Sequence, residues 1–324
     1  MQRQDLIAFL GSDWQRTVDL IKGALHSDID LLNGVNDSIL SHSGKLLRPM
    51  MSLLMARACG GEVSEDSRLF AAAVELLHNA TLLHDDVADE SAERRGIPTV
   101  NATFGPRAAV LVGDFWLARA VDMVLESSHR EDRVVRLFSK TLVDLAEGEM
   151  LQLQKAGTSD TTEADYFRII FCKTASLFQS ACMAAAISVD ARELYLDAAG
   201  RYAEAAGIAF QIRDDILDYS GGAALGKPVG IDLREQKITL PLLCAMKGSP
   251  REEEMRCKVR DIHSHPEYCD EVRAFVAERG GVEAASEILD KYIARAVLAL
   301  EILPESQARD YLAQLVRFNA IRKV

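Results

Sequence analysis

Apolar positions recur with a helical period along most of the chain, whereas alternating runs of β-branched residues are absent. One apolar helix is predicted from about residue 64 to 88, and another ends near residue 218. Further helices are predicted from about 106 to 127 and from about 131 to 155, and two or three amphipathic helices from about 5 to 41. Thr162 is a plausible N-cap for the helix that carries Lys173. The pattern therefore predicts an all-α protein.

No shift in composition and no linker rich in Ser, Pro or Gly marks a domain boundary. We therefore expect a single all-helical domain from residue 1 to 324. Four glycines and a proline between residues 221 and 230 predict a mobile loop. Lys227 lies on this loop and Lys237 precedes the next helix, so the loop is a candidate lid over a phosphate group.

Two clusters of carboxylates end two of the apolar helices. They are Asp85, Asp86 and Asp89 in the first, and Asp214, Asp215 and Asp218 in the second. A solvated helix end would explain one cluster, but two matched clusters indicate a shared metal site, because buried carboxylates need a compensating cation. A set of ligands that contains only oxygen atoms suits Mg²⁺, which is usually bound by carboxylates together with the phosphates of a substrate. The apolar helices behind the clusters imply that the rest of the substrate is apolar.

Basic residues near these clusters are candidate phosphate ligands. Lys45 and Arg48 are three residues apart at a predicted helix start, where a solvated cap is the simpler explanation. Paired arginines, Arg94 and Arg95, follow the first cluster, and they could form surface salt bridges or bind phosphate bidentately. His78 precedes the first cluster, and a satisfied core histidine explains it equally well.

Composition narrows the possible partners and compartments. The net charge of −12 argues against a nucleic-acid-binding surface. Six cysteines without Cys-x-x-Cys spacing are typical of reduced thiols in a cytosolic protein. The N-terminus lacks the pattern of a signal peptide, and no apolar run approaches the ~20 residues that span a bilayer. We expect a cytoplasmic protein without stable membrane insertion, which visits a membrane surface only to release an apolar product.

The motifs and their order resemble the trans-isoprenyl diphosphate synthases, the polyprenyl synthetase family. The resemblance extends from about residue 44 to 241 and includes both Asp-Asp-x-x-Asp motifs. The other motifs are Gly44-Lys45-x-x-Arg48-Pro49, Arg94-Arg95-Gly96, Lys173-Thr174 and Lys237-x-Thr239-Leu240-Pro241. The segments 80–87 and 112–115 are similar to the long-chain, octaprenyl-type branch of the family.

The resemblance implies a single-domain bundle of a dozen or more helices around a central cavity, and a homodimer. It implies that the six aspartates bind a Mg²⁺ cluster on an allylic diphosphate, with catalytic roles for Asp85, Asp86, Asp89, Lys173, Asp214 and Lys227. The shell around that diphosphate would contain Arg94, Lys173, Lys227 and Lys237, supported by Thr174 and Gln211. The diphosphate of isopentenyl diphosphate would bind Lys45, Arg48, His78 and Arg95. The reaction would extend a farnesyl or geranylgeranyl primer to an octaprenyl-type product for quinone side chains.

Product length should depend on what blocks the path of the growing tail. Ala80 and Thr81 lie about one turn before Asp85 and are small enough to let a tail pass, although close helix packing also favours small residues. Trp116 and Met123 on the next helix are candidates for the floor of the channel.

Three alternatives stay open at this point. The chain could make a shorter geranylgeranyl or farnesyl product. It could be a class I terpene cyclase, although such enzymes usually carry an Asn/Ser/Glu-type second motif rather than three aspartates. A non-enzymatic partner subunit is the third alternative, and it tends to lose the acidic motifs that are complete here.

Overall fold

The computed structural model of the chain describes residues 2–42, 44–94, 96–129, 133–220 and 230–321. These ranges form seventeen α-helices, one π-helical segment and two strands of two residues each, which confirms the predicted all-α class. The helices are α1 (Arg3–Leu10), α2 (Ser12–Ala24), α3 (Asp30–Ser41), α4 (Leu47–Ala58), α5 (Glu65–Ala88), α6 (Val100–Phe104), α7 (Pro106–Glu126), α8 (Arg133–Thr158), α9 (Glu163–Ile170), α10 (Ser176–Ile187), α11 (Glu193–Ser220), α12 (Ile231–Arg234), α13 (Leu240–Met246), α14 (Glu252–Arg260), α15 (Tyr268–Glu278), α16 (Gly281–Leu300) and α17 (Gln307–Ile321). The strands are β1 (Glu93–Arg94) and β2 (Ile97–Pro98), and the π-helical segment is Phe171–Ala175.

The chain divides into two compact units. The first contains residues 1–138, 180–199 and 303–312, and the second contains residues 139–179, 200–302 and 313–324. The expectation of one domain from residue 1 to 324 stays a prediction.

Helix α5 is the central element of the first unit and packs against α2, α4, α6 and α7. It begins after Ser64, whose hydroxyl oxygen accepts a hydrogen bond from the Ser67 backbone N–H at 3.0 Å, as expected of an N-cap. Its middle is fully buried at Phe70 and Val74. The helix carries the first aspartate cluster at its C-terminal end, so the buried core fixes the helix that presents those carboxylates.

A compact apolar core in the second unit holds the segment between α11 and α13. Leu233 of α12, Leu242 of α13, Val259 of α14 and Val272 of α15 are completely buried in it. Removing such side chains from water stabilises the fold by about 1.5–3 kcal/mol each. This core positions the residues on either side of Leu233, where further candidate site residues lie.

One segment of the described chain, Glu163–Ile187, is long and apolar enough by composition to cross a membrane. This finding corrects the expectation that no apolar run approaches that length. Because 78% of its apolar window is buried inside the protein, core packing accounts for the composition.

Candidate active site

The first aspartate cluster occupies the last turn of α5 and its C-cap. Asp85 and Asp89 are four residues apart and lie on one side of the helix, whereas Asp86 is rotated by about 100°. Only 5% of Asp86 is exposed, and Arg94 Nε donates a hydrogen bond to its Oδ1 at 2.7 Å. Burial raises the pKa of Asp86, and the Arg94 guanidinium opposes that rise. The three aspartates therefore have two different environments.

A short hairpin after α5 places Arg94 beside the cluster. Strand β1 pairs with β2 in antiparallel fashion, with Arg94 opposite Ile97, and the turn between them contains Gly96 at φ 77°. The Asp86 carbonyl accepts hydrogen bonds from Ser91 N at 3.0 Å and from Asn101 Nδ2 at 3.1 Å. The end of α5 is thus held by side-chain and backbone donors. Arg95 lies outside the described residues.

The second cluster lies in the last two turns of α11 and again buries its middle member. Asp215 is 3% exposed. Its Oδ2 accepts from the Tyr166 hydroxyl at 2.6 Å, and its Oδ1 accepts from Gln211 Nε2 at 2.9 Å. Thr174 in turn donates to Gln211 Oε1 at 2.8 Å. Burial raises the pKa of Asp215 to about 7, and the charges of its two neighbouring aspartates act in the same direction.

Asp218 caps the start of α12. Its two carboxylate oxygens accept from the backbone N–H groups of Ile231 at 3.1 Å and Asp232 at 3.2 Å. Gly230 precedes them with φ 73°, a left-handed conformation that favours glycine. Asp214, by contrast, is exposed. Because Asp218 binds the start of α12, it also fixes the position of Asp232. The pKa of Asp232 is well above its usual value, first because the carboxyl is buried and second because Asp215 lies nearby.

A cavity of about 110 Å³ in the second unit brings together five of the predicted site residues. They are Lys173, Thr174, Gln211, Asp215 and Lys237. Lys173 Nζ lies 2.6 Å from Glu149 Oε2, and Lys237 Nζ pairs with Glu235. Both lysines are partly buried, and cations in such a cavity are ready partners for an anionic ligand. Lys227 lies outside the described residues.

Lys155, Tyr166 and Asp232 also line this cavity, and they were not predicted from the sequence. Tyr166 precedes Lys173 by seven residues, a spacing that places two residues on one face of a helix and that could have identified it. Lys155 forms ion pairs with Asp160 at 3.2 Å and Asp165 at 3.0 Å, so it joins the cavity wall to the cap of α9.

The π-helical segment explains how Lys173 and Thr174 reach the cavity. A Cβ on Gly148 of α8 would lie 2.6 Å from Cys172 Cβ, and a Cβ on Gly207 of α11 would lie 2.6 Å from Ala175 Cα. Both glycines therefore permit close approach to this segment. π-helical turns inside helices occur frequently at functional sites. This one carries Lys173, a predicted phosphate ligand, and Thr174, which was predicted to support the diphosphate shell.

The predicted ligands of isopentenyl diphosphate lie in the first unit. Arg48 is in the first turn of α4, but Lys45 precedes the helix, and Leu46 between them has φ 52° and ψ 44°. The helix therefore starts between Lys45 and Arg48, two residues later than a start that would include both. Lys45 is exposed, while Arg48 and His78 are partly buried. A common pocket for these residues stays a prediction.

The candidate chain-length residues are mostly core residues. Ala80, Trp116 and Met123 are buried, and Thr81 donates a hydrogen bond to the His78 carbonyl at 2.8 Å. Trp116 Nε1 donates to Asn36 Oδ1 at 2.8 Å. The Trp116 side chain lines a cavity of about 40 Å³, but Ala80 and Thr81 are not among the residues that line it. Their role in product length stays a prediction.

The donor set fits a magnesium ion in its chemistry, since all six predicted ligands are carboxylates. Among the described residues, no three His, Cys, Asp or Glu side chains are grouped closely enough to hold a metal ion by themselves. This is consistent with the usual coordination of Mg²⁺, which takes one or two carboxylates and completes its shell with water and substrate phosphates.

Comparisons with known proteins agree with these features. The family model described as polyprenyl synthetase matches residues 29–277. A nonaprenyl diphosphate synthase of Rhodobacter capsulatus is 41% identical over 318 residues, which cover 97% of this chain and 96% of that one. An octaprenyl diphosphate synthase of Haemophilus influenzae is 39% identical over 333 residues, which cover 99% of both chains.

A solved structure shows the same similarity in three dimensions. The polyprenyl synthase of Caulobacter crescentus, determined in complex with calcium and isoprenyl diphosphate, has a TM-score of 0.91 and 33% sequence identity. The match covers 100% of this chain and 98% of that one. From this fold, these motifs and these relatives, we conclude that the chain is a prenyltransferase and belongs to the polyprenyl synthetase family.

Proposed function

We propose that the protein is a Mg²⁺-dependent all-trans polyprenyl diphosphate synthase with a long-chain, octaprenyl-type product. It adds isopentenyl diphosphate head to tail onto a farnesyl or geranylgeranyl diphosphate primer. The cavity in which Asp215 lies with Lys173 and Lys237 carries the proposal, because it combines a carboxylate for a metal with cations for a diphosphate. The names of the relatives, octaprenyl and nonaprenyl diphosphate synthase, support a long product. That this product serves as a quinone side chain is part of the proposal.

The protein's own groups have distinct tasks in this reaction. Lys173 and Lys237 exchange their carboxylate partners for the oxygens of the allylic diphosphate and hold it as the leaving group. Bound Mg²⁺ would neutralise the charge that develops on that diphosphate. The aspartates of each cluster would hold Mg²⁺ through carboxylate oxygens. Tyr166 and Gln211 hold Asp215 in one orientation.

The second substrate needs its own site. We assign the diphosphate of isopentenyl diphosphate to Lys45, Arg48, His78 and Arg95, so that its alkene is held near the allylic carbon. Released diphosphate is the base that we propose for the final proton, since the sequence offers no evident protein base. The product then serves as the next allylic substrate.

An elongation assay tests the proposal. The purified chain is incubated with radiolabelled isopentenyl diphosphate, farnesyl diphosphate and Mg²⁺, and the products are sized by chromatography. A ladder that ends near eight isoprene units supports the proposal, and a ladder that ends at four units, or at three when geranyl diphosphate is the primer, identifies a shorter-chain synthase. Hydrocarbon released without isopentenyl diphosphate identifies a terpene cyclase, and absence of turnover indicates a partner subunit.

Two variants connect the activity to the cavity. Lys237→Gln removes a cation from the cavity, and we expect at least about a tenfold loss of kcat/KM, since a charged hydrogen bond to the leaving group is worth about 1.5–3 kcal/mol. Lys247→Gln is the matched control, because this lysine is 79% exposed and its ion pair with Glu163 is long, at 3.5 Å. Equal activity of the two variants would remove Lys237 from the diphosphate site.

We also propose a cytoplasmic homodimer that reaches a membrane surface only to release product. Four apolar side chains remain exposed on one side of α7, and a second copy of the chain would cover them. They are Val110, Leu111, Val121 and Leu125. Light scattering measures the mass of the wild type and of Leu111→Glu, and a monomeric wild type would contradict the dimer.

A further inference from the structure

The imidazole of His84, directly before the first aspartate cluster, lies against helix α7. Its Nε2 is 3.3 Å from Asp114 Oδ1 and 3.4 Å from the Val110 carbonyl oxygen. Because both oxygens can only accept, Nε2 carries the proton and donates to them. These distances are long for hydrogen bonds. The contact therefore depends on close packing of the ring more than on the strength of either bond.

Gly113 makes this packing possible. A Cβ on Gly113 would lie 2.4 Å from His84 Nε2 and 2.6 Å from its Cδ2, well inside van der Waals contact. Any residue other than glycine would push the ring out of its place on α7. The ring is 36% exposed and can swing towards solvent, so a larger residue would break the contact without forcing the helices apart. The Gly113-Asp114 pair, to which the proposed reaction gives no role, thereby acquires one.

The end of α5 needs such a restraint for an electrostatic reason. Asp85, Asp86 and Asp89 lie at the C-terminal end of the helix, where the macrodipole is negative and disfavours anions by about 0.3–1 kcal/mol each. Only one helical turn follows His84 before α5 ends at Ala88. Helix ends fray readily, and mutual repulsion of the carboxylates adds to that tendency. A contact at His84 is placed to oppose fraying at the turn that carries the ligands.

We infer that the contact among His84, Gly113 and Asp114 is a clasp that positions the last turn of α5 for ligand binding. His84 and Gly113 are positioning residues, since they act through Asp85 and Asp89 and do not touch the substrate. The functional part of the inference rests on the proposed synthase activity. The structural part, that the clasp orders the helix end, does not.

Hydrogen exchange tests the structural part with three variants: Gly113→Ala, His84→Ala and the double variant. Each change removes the same contact, so we expect exchange in peptides covering residues 80–92 to become about tenfold faster in all three. Exchange in the double variant should be no faster than in either single variant, because the second change removes no further contact. Gly23→Ala is the control, since a Cβ on this helical glycine meets nothing within 4 Å.

Steady-state kinetics test the functional part in the same proteins. Loss of positioning should raise KM for the allylic diphosphate and the Mg²⁺ concentration that gives half-maximal rate, each by about fivefold, with a smaller change in kcat. Gly23→Ala should behave as the wild type in these assays too, because a Cβ at this position meets nothing within 4 Å. A change confined to the melting temperature, with KM and Mg²⁺ dependence intact, would overturn the positioning role.

The outcomes separate the inference from the proposed function. Wild-type exchange rates in Gly113→Ala, or additive effects in the double variant, would overturn the clasp even if the enzyme makes long prenyl chains. Faster exchange in all three variants would support the clasp even if the wild type made no prenyl product, and in that case only the proposed function would fail.

Discussion

The two aspartate clusters have the same spacing but handle their buried charge differently. Both lie at the C-terminal end of a long helix, and in both the middle aspartate is the buried member, Asp86 in one and Asp215 in the other. The first and last members of each cluster are more exposed. A shared helical geometry produces this arrangement, since residues i and i+4 lie on one side and residue i+1 points elsewhere.

The difference is in the partner of the buried carboxylate. Asp86 has a guanidinium at 2.7 Å, so its negative charge is compensated within the protein. Among the described residues, the donors that hydrogen-bond to Asp215 are the neutral side chains of Tyr166 and Gln211. Asp232 faces the same cavity, and the lysines that also line it pair with other carboxylates. The charge of the buried carboxylate in the first cluster is therefore compensated before any ligand binds, whereas the buried carboxylate in the second is stabilised by a proton or an external cation. Identical motifs in a sequence can thus differ in how strongly their stability depends on pH and metal.

The largest expected effect of this difference is on the pH dependence of stability without metal. The pKa of Asp215 is raised from 3.8 to about 7, so the native state holds a proton that the unfolded state has already released. Stability from this group is complete below pH ~4 and is lost as the pH rises through about 7, a change of up to about 4 kcal/mol by linkage. Urea unfolding in EDTA between pH 4 and 8 measures this change, of which the part above pH 5 is about 3 kcal/mol.

Asp215→Asn is the control for this titration, because the amide keeps the shape of the side chain and cannot ionise. The decline in stability between pH 5 and 8 should be much smaller in this variant. Asp232 contributes in the same direction, so a residual slope is expected. An equal slope in wild type and variant would show that Asp215 does not hold the unbalanced charge.

The sequence predicted the helices that carry the site better than it predicted the contacts between side chains of the site. The bounds of α5 and α7 and the N-cap at Thr162 followed from local capping residues and helical period, and the structure confirms them. The π-helical segment and the hairpin that carries Arg94 were not predicted, because both depend on packing against distant parts of the chain. The different partners of Asp86 and Asp215 could not be predicted for the same reason.

An intermediate effect on stability is expected when Asp86, in the first cluster, loses its partner Arg94. Arg94→Ala leaves Asp86 buried without its charged donor, which should destabilise the protein by about 2–3 kcal/mol at pH 8. The loss should decrease at lower pH as Asp86 becomes protonated. Chemical unfolding at pH 5 and pH 8 measures the loss of stability at each pH. In this variant the buried aspartate of the first cluster would lack a charged partner, as that of the second does.

Arg133→Ala controls for the loss of an arginine. Its pair with Glu193 at 2.6 Å is more than half exposed on both sides, and such surface pairs contribute less than about 1 kcal/mol. If Arg94→Ala cost no more than Arg133→Ala, the guanidinium would not be what balances the first cluster, and the contrast between the clusters would disappear.

The smallest expected effect comes from removing one neutral donor at the second cluster. Tyr166→Phe deletes the hydroxyl 2.6 Å from Asp215 Oδ2, at a cost of about 1–2 kcal/mol when the carboxylate is ionised. The cost should be lower at pH 5, where Asp215 is protonated and can turn its own proton towards another acceptor. Tyr195→Phe, a partly exposed tyrosine whose hydroxyl contacts Arg192, should change stability little at either pH. Because a donor stabilises an anion more than a neutral acid, equal losses for Tyr166→Phe at pH 5 and pH 8 would mean that the charge of Asp215 does not change between these pH values. The raised pKa of Asp215, and with it the contrast between the two clusters, would then be contradicted.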